Sequence, residues 1–327
     1  MMLSDNFGRV ARKLRISVTD RCNFRCTYCM PEEGLNWLNR AELLSYEEIA
    51  RLAQLFVKLG IRSIRLTGGE PLLRKDLPVL VARLAQIAGL EKLAITTNGT
   101  LLPELAPALV EAGLRSYNVS LDSLDPRRFA QSVRRDALDR VWAGLETLAG
   151  FPGVEVKLNV VVIRSFNEDE ALDFARLAHS RGWSVRFIEF MPLGADDSWG
   201  RQMVVPGAEL LARIQSEFTL IPVEKAGASP AARWRFDSGP GEIGFINSVS
   251  EPFCQSCDRI RLTSDGQLRT CLFSLSETDL KAPLRAGASE AELEAILRRA
   301  VAAKEAGHLI NQPQFERPGR TMSSIGG

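Results

Sequence analysis

The sequence of 327 residues lacks several features that would assign it to common classes of protein. It contains no run of about eighteen apolar residues, which excludes a membrane-spanning helix. Residues 1–15 are polar and charged, without the apolar stretch of a secretory leader, so we expect a cytoplasmic protein. Lysine and arginine total 41 against 40 acidic residues, so we expect neither nucleic acid nor a membrane as partner. Histidine is scarce, with His179 and His308 as the two copies, which limits the nitrogen ligands for a metal.

Cysteine, by contrast, occurs six times and in two groups of three. The front triplet has the spacing C-x-x-x-C-x-x-C and consists of Cys22, Cys26 and Cys29. The rear triplet is C-x-x-C followed after thirteen residues by a third cysteine, and consists of Cys254, Cys257 and Cys271. Three thiolates hold three corners of a 4Fe–4S cubane and leave one iron open to a small molecule. The pattern therefore predicts two clusters, each with an open corner.

Disulfides and structural zinc are the alternatives for these cysteines. Disulfides belong to oxidising compartments and small secreted domains, and a chain of this length buries roughly three-quarters of its surface without them. Zinc usually takes four Cys or His ligands in a closed shell, and neither triplet has a fourth cysteine nearby. Spacing alone favours a cluster at the front triplet and leaves zinc open at the rear one.

An alternation of short β-rich runs with amphipathic helices extends over residues 14–215 and predicts an α/β fold. The predicted strands are 14–19, 63–67, 93–97, 116–121, 154–163 and 185–190. The predicted helices are 46–59, after a capping box at Ser45, and 77–87, 103–112, 138–148 and 168–180. The strands are nearly continuous in apolar residues, as in parallel strands covered on both faces. Six βα units form an incomplete (βα)6 TIM-type barrel with a gap along one side.

The alternation of strand and helix patterns ends at about residue 220. Short strand-like pieces at 244–247 and 260–263 and a helix at 290–304 follow a segment rich in Ala, Gly, Ser and Pro. We therefore predict two domains, the barrel at 1–220 and a C-terminal module at 221–327 that covers the open side.

Polar and glycine residues follow the predicted strands where each one ends. The front triplet follows the first strand, Gly68-Gly69-Glu70-Pro71 the second, and Thr96-Thr97-Asn98-Gly99 lies at the end of the third. Each of these is ordinary turn chemistry when taken singly. Because active sites of parallel barrels form at the carboxyl ends of the strands, we expect a site at this rim.

These residues carry a family resemblance. The front triplet with Gly68-Gly69-Glu70-Pro71 resembles the radical S-adenosylmethionine (SAM) superfamily, and nearly the whole chain resembles the GTP 3′,8-cyclases of molybdenum-cofactor biosynthesis. The more specific likeness lies in the rear triplet followed by Arg259-Ile260-Arg261 and in the terminal Gly326-Gly327. One departure lies in the loop after the fifth strand, where the family pattern leads us to expect glycine at or near Ser165.

The resemblance implies two 4Fe–4S clusters and SAM as cofactors, with the reductive cleavage of SAM at the front cluster. It implies a cofactor pocket formed by Tyr28, Gly69, Ser120 and Met191. It further assigns GTP to Arg15, Arg65, Thr96, Lys157, Arg259, Ile260 and Arg261. Guanidinium groups suit phosphate oxygens, and a buried cation without a partner is costly, which favours a ligand at these positions.

The implied reaction is hydrogen abstraction from carbon 3′ of GTP, attack on carbon 8 of guanine and reduction of the resulting radical, a lyase reaction. The resemblance places the tail, through Arg320, Gly326 and Gly327, in the catalytic site. It implies flavodoxin or ferredoxin as reductant, a pterin-forming enzyme as recipient of the product, and a homodimer. The alternatives are a radical SAM peptide maturase and a non-enzymatic metal-binding or electron-transfer module.

Overall fold

A computed structural model describes residues 2–194, 199–224 and 227–326 of the chain. Its strands form a single sheet of twelve. They are β1 (Lys13–Ser17), β2 (Ser63–Thr67), β3 (Lys92–Thr97), β4 (Ser116–Ser120), β5 (Glu155–Val162), β6 (Ser184–Glu189), β7 (Leu220–Val223), β8 (Ala232–Phe236), β9 (Glu242–Ile246), β10 (Arg259–Leu262), β11 (Gln267–Arg269) and β12 (Thr278–Asp279).

Most helices pack against the outer face of this sheet, and the short last one lies at the barrel rim. They are α1 (Tyr46–Lys58), α2 (Leu77–Ala85), α3 (Leu102–Glu111), α4 (Pro126–Val133), α5 (Leu138–Ala149), α6 (Ala171–Arg181), α7 (Gly207–Gln215), α8 (Lys281–Arg285), α9 (Glu290–Ala302) and α10 (Met322–Ile325). The capping box predicted at Ser45 is confirmed, since the Ser45 hydroxyl accepts a bond from Glu48 N and the Glu48 carboxylate accepts one from Ser45 N. None of the described helices is long and apolar enough to cross a bilayer.

Eight neighbouring strands of the sheet are parallel, in the order β10, β1, β2, β3, β4, β5, β6, β9. The central six are the predicted strands, and the predicted incomplete TIM-type barrel with a C-terminal module is confirmed. The C-terminal module also contributes strands to the barrel sheet itself. It adds β10 to one edge of the six-stranded arc and β9 to the other, and antiparallel strands continue both edges outward. The domain boundary at residue 220 stays a prediction.

The barrel strands alternate for most of their length between an apolar and a polar face. On β1, Leu14 and Ile16 are buried in the main core with the helices, whereas Lys13, Arg15 and Ser17 take the other face. The expectation of nearly continuous apolar strands was therefore too simple. Each strand packs one face against the helices and presents polar side chains to the barrel interior, so the interior is lined for a ligand.

Two local features differ from the predicted helices. Helix α4 was not predicted; Asp125 begins it by accepting bonds from Arg127 N and Arg128 N, both at 2.9 Å. The predicted helix at 168–180 starts as a 3-10 turn, Glu168–Glu170, before α6. In the loop before that turn, Ser165 has φ of 60°, a left-handed conformation that favours glycine. The expected glycine at this position thus has a backbone reason.

Candidate active site

The front triplet lies in the loop after β1, and backbone hydrogen bonds within the loop and to helix α4 hold its conformation. Within the loop, Cys29 N donates to the Cys26 carbonyl at 2.9 Å. From outside, the last turn of α4 accepts two bonds, from Arg25 N to the Val133 carbonyl and from Thr27 N to the Ser132 carbonyl, at 3.0 and 2.9 Å. Helix α4, which was not predicted, therefore anchors the loop on both sides of Cys26.

The three front thiols are within electrostatic reach of one another. Burial raises the pKa of Cys22 to about 11, with a further rise from Glu70. Burial together with the charge of Cys22 raises the pKa of Cys29 to about 12, and burial with Cys29 raises that of Cys26 well above its ordinary value. Thiols this difficult to ionise alone become ligands when a metal replaces their protons.

The described residues include no group of three or more Cys, His, Asp or Glu side chains arranged around a single metal ion. The thiolates of a cubane each bind a different iron, so a cluster does not require them to converge on one point. Three half-buried, mutually close thiols on one loop fit three corners of such a cluster.

The Gly68-Gly69-Glu70-Pro71 turn packs directly against the start of the cysteine loop. A Cβ on Gly68 would lie 2.4 Å from the Thr19 carbonyl oxygen, and one on Gly69 would lie 2.3 Å from that of Arg21. Both positions therefore exclude any larger residue. The buried Glu70 carboxylate accepts from Asn98 N at 2.7 Å, and burial raises its pKa to about 7.

The predicted cofactor-pocket residues lie at the carboxyl rim of the barrel. The Tyr28 hydroxyl donates to Asp122 Oδ2 at 2.6 Å, and burial raises the pKa of Asp122 to about 6. Ser120 ends β4 and Met191 follows β6, and both are half-buried. With Gly69, which follows β2, they lie on the same rim as the front triplet, and their assignment to SAM stays a prediction.

A row of cations crosses the barrel interior below this rim. Sheet register places Arg15 directly between Arg261 on β10 and Arg65 on β2. Burial and the neighbouring charges of Arg261 and Arg65 lower the pKa of Arg15 well below its ordinary value. Burial likewise lowers the pKa of Arg65 to about 10 and that of Arg261 to about 9. Like charges held together in a buried place favour a polyanionic ligand.

Other predicted substrate residues divide between the interior and the core. Lys157 pairs with Glu155 at the same wall, and burial lowers its pKa to about 8. Thr96 presents a buried hydroxyl without a hydrogen-bond partner. The Ile260 side chain, by contrast, points to the opposite face of β10 from Arg259 and Arg261 and is fully buried in the core. It therefore cannot contact GTP in the barrel interior. Its predicted role is limited to the backbone.

Sequence reasoning missed Arg186 as a member of the interior. It lies on β6 on the polar face, in register with Asn159 of β5 and Gly244 of β9. Its Nε is buried without a hydrogen-bond partner, and burial lowers its pKa. The sequence signal that could have revealed it is the alternation of Arg186 with apolar Val185 and Phe187 on one strand.

The rear triplet lies at the opposite end of the strands. Cys257 precedes Arg259, which pairs with Lys13 at the start of β1, and Cys271 follows Arg269, which pairs with Arg261. The polar interior thus runs from the front triplet at the carboxyl rim to the rear triplet at the amino end.

The rear thiols also interact, but their surroundings differ from those of the front triplet. Burial raises the pKa of Cys271, with contributions from the charges of Glu305, Cys257 and Cys254. At Cys257 the effect of burial is outweighed by Arg259 and Lys304, which bring its pKa down to about 7. Three close thiols beside cations fit an anionic cluster.

The C-terminal tail reaches both halves of this interior. Arg320 anchors it, with Nη2 2.8 Å from Asp265 Oδ2 and from Glu277 Oε2. The backbone and the hydroxyl of Ser323 act to lower the pKa of the nearby Cys29 thiol, against the larger effect of burial, and the Gly326 carbonyl accepts from Arg261 Nη1. Arg320 therefore acts as a tether in this structure, and its predicted catalytic role stays a prediction. Gly327 lies outside the described residues.

Comparison with known proteins agrees with this arrangement. The family model of the Radical SAM superfamily matches residues 16–178, and that of Molybdenum Cofactor Synthesis C matches residues 183–310. Streptococcus suis SuiB bound to S-adenosylmethionine, a solved structure, is similar with a TM-score of 0.60 and 14% identity over 94% of this chain and 76% of that chain. At that identity the likeness shows the fold alone. Barrel, front triplet and family model together define a radical SAM enzyme.

Curated relatives narrow the class. A GTP 3′,8-cyclase of Mycobacterium sp. (strain KMS) is 47% identical over 327 residues, covering 99% of this chain and 93% of the relative. The GTP 3′,8-cyclase of Streptomyces coelicolor is 46% identical, covering 100% and 96%. The chain belongs to the GTP 3′,8-cyclase family.

Proposed function

We propose that this protein is a lyase that converts GTP to (8S)-3′,8-cyclo-7,8-dihydroguanosine 5′-triphosphate in molybdopterin biosynthesis. The observation that carries the proposal is the row Arg261–Arg15–Arg65, which faces the barrel interior between two cysteine triplets. A triphosphate supplies the negative charge that these buried guanidinium groups lack. An electron carrier or a zinc-binding module has no need of such a row.

The position of each interior residue in the barrel indicates which part of GTP it would bind. Arg15, Arg65 and Arg261 would hold the triphosphate, with Lys157 as a further point charge. Thr96 would use its unpartnered hydroxyl for the same ligand. The guanine base would then point toward the rear triplet, where a second 4Fe–4S cluster is part of the proposal. Family membership supports this orientation; the contacts above supply the groups for it.

The front triplet would hold the first 4Fe–4S cluster, with SAM between Tyr28, Gly69, Ser120 and Met191. When bound, the cluster and SAM supply the radical that removes hydrogen from carbon 3′ of the ribose. This chain's own share is to fix the reacting atoms about 3–3.5 Å apart and to exclude water. The tail is suited to that role, because Ile325 and Gly326 are buried against the barrel rim.

The proposal extends to the partners, the compartment and the oligomeric state of the protein. The reductant would be a flavodoxin or ferredoxin, the product would pass to a pterin-forming enzyme, and the protein would act in the cytoplasm as a homodimer. Family membership is the support for these statements.

The test is incubation of the anaerobically reconstituted, reduced protein with SAM and each nucleoside triphosphate in turn. We expect mass spectrometry to find 5′-deoxyadenosine and a cyclised nucleotide with GTP. Release of 5′-deoxyadenosine without any product from GTP would refute the substrate assignment. Cys26→Ala should abolish SAM cleavage, whereas Cys257→Ala should leave the front cluster in place and stop cyclisation.

A binding measurement tests the cation row separately. Arg261→Ala removes a charged hydrogen-bond donor from a buried place and should raise the Kd for GTP roughly 10- to 100-fold. The matched control is Arg176→Ala, because Arg176 forms exposed surface pairs with Asp173 and Glu217. Equal Kd values for the two variants by calorimetry would exclude Arg261 from the phosphate site.

A further inference from the structure

A buried lysine next to the rear triplet has no carboxylate partner among the described residues. Lys304 follows α9 and is 5% exposed. Its Nζ lies 3.0 Å from the Cys257 carbonyl oxygen, 2.8 Å from that of Arg259 and 3.6 Å from Cys257 Sγ. The three N–H donors of the ammonium group therefore match three acceptors, one of which is a predicted cluster ligand.

Two carbonyl groups satisfy hydrogen bonds but do not neutralise a buried charge. A cation held away from water requires a nearby anion, or it is strongly destabilised. The thiolate of Cys257 and a cluster bound to it are the anions that Lys304 faces. Negative charge at the rear triplet would therefore neutralise the Lys304 ammonium group.

The front triplet has different electrostatic surroundings. Two carboxylates act on its thiols, Glu70 on Cys22 and Asp122 on Cys26, and Arg25 partly offsets the effect of Glu70 at Cys22. At the rear, Arg259 and Lys304 act on Cys257, and Glu305 is the one carboxylate among the charges acting on Cys271. Glu305 is also bound by the Thr270 hydroxyl, at 2.9 Å. Hydrogen bonds to the sulfurs and the net charge of the surroundings set the potential of an iron–sulfur cluster.

We propose that Lys304 is the counter-cation of the rear cluster and that its charge makes this cluster easier to reduce. The proposal rests on the second cluster of the proposed function. Lys304 acts through the Cys257 sulfur, so it is a positioning residue. When one electron from dithionite enters the rear cluster, the added negative charge is stabilised by the ammonium group.

The test is a redox titration of the reconstituted protein with dithionite, in which electron paramagnetic resonance follows the two clusters separately. The variant is Lys304→Gln, which keeps a hydrogen-bond donor and removes the charge. We expect its rear cluster to be about tenfold less reduced at a given potential, a shift of about 59 mV for one electron. The front cluster should be unchanged.

Two further variants serve as controls. Lys304→Arg keeps the charge and should restore the titration of the rear cluster. Lys58→Gln removes an exposed ammonium that pairs with Glu290 on the surface and should change neither cluster. If Lys304→Gln loses the rear cluster, so that iron falls from near eight to near four atoms per chain while Lys304→Arg retains it, the counter-cation role is also supported.

The overturning results are distinct. An unchanged rear titration in Lys304→Gln, with both clusters present, refutes the counter-cation and leaves the proposed function intact. Loss of the rear cluster in both Lys304 variants assigns the residue to packing and refutes the role of its charge. Wild-type protein with a single cluster refutes the rear cluster itself and, with it, this inference.

Discussion

Replacement of Gly326 by alanine should release the C-terminal tail from the barrel rim. A Cβ at this position would lie 2.3 Å from Ser17 Oγ and 2.8 Å from Thr67 Cγ2. The residue also has φ of 84°, where an alanine is strained by about 1–2 kcal/mol. Overpacking of a filled site adds about 1–3 kcal/mol. Together the two terms predict a penalty of about 2–5 kcal/mol for the docked tail.

The penalty should appear as local opening, because the tail can leave the rim while the barrel core stays folded. Opening would break the bond from Arg261 to the Gly326 carbonyl and the contact of Ser323 with Cys29. About 2–5 kcal/mol corresponds to an increase of roughly 30-fold or more in the open population. The variant should retain the thermal stability of the parent.

Hydrogen exchange measures this opening directly. The Ile325 and Gly326 amides donate to the Thr321 and Met322 carbonyls in the docked tail, at 3.2 and 3.1 Å. Their exchange should accelerate in Gly326→Ala. The control is Gly319→Ala, since Gly319 is exposed and a Cβ there would meet nothing within 4 Å.

A second substitution separates the two causes. Ser17→Ala in the Gly326→Ala background removes the closest clashing atom and leaves the strained φ, so it should restore part of the protection. Unchanged tail exchange in Gly326→Ala, with an intact barrel, would refute the docked position of the tail.

Three further predictions concern the barrel. Ser165→Gly should stabilise the protein by about 0.5–1 kcal/mol in urea titration because it relieves a left-handed φ, whereas Ser180→Gly at an exposed position of α6 should destabilise it by about the same amount; a loss of stability in Ser165→Gly would contradict the strain argument. Burial raises the pKa of Glu70 to about 7, so the folded chain holds this proton more tightly and stability falls as pH rises from about 4.5. Glu70→Gln should therefore flatten the stability profile of cluster-free protein between about pH 4.5 and 7, and parallel profiles would disprove it. Tyr28→Phe leaves the Asp122 carboxylate one bond short and should destabilise the protein by about 1.5–3 kcal/mol in urea titration, which an unchanged midpoint would contradict.

The amino-acid sequence by itself determined the features whose partners lie close together along the chain. The front cysteines fall within eight residues, so their spacing alone indicates a cluster-binding loop. The capping box at Ser45 joins residues three apart, and each barrel strand is recognisable from its own run of residues. The six βα units in series then indicate a parallel sheet, because parallel strands need crossover connections, and favour a barrel or a barrel arc.

Tertiary structure alone decided which distant residues meet. Arg9 donates to the Cys254 carbonyl at 2.8 Å across 245 positions, and Lys304 reaches Cys257 across 47. Nothing near Arg9 or Lys304 in the chain indicates these contacts, because they depend on how whole elements pack. The same holds for β9 and β10, which join opposite edges of one arc, and for the tail, whose Gly326 meets Arg261. A sequence pattern reflects local geometry, whereas the partner of a buried charge is determined only when distant elements pack together in the folded sheet.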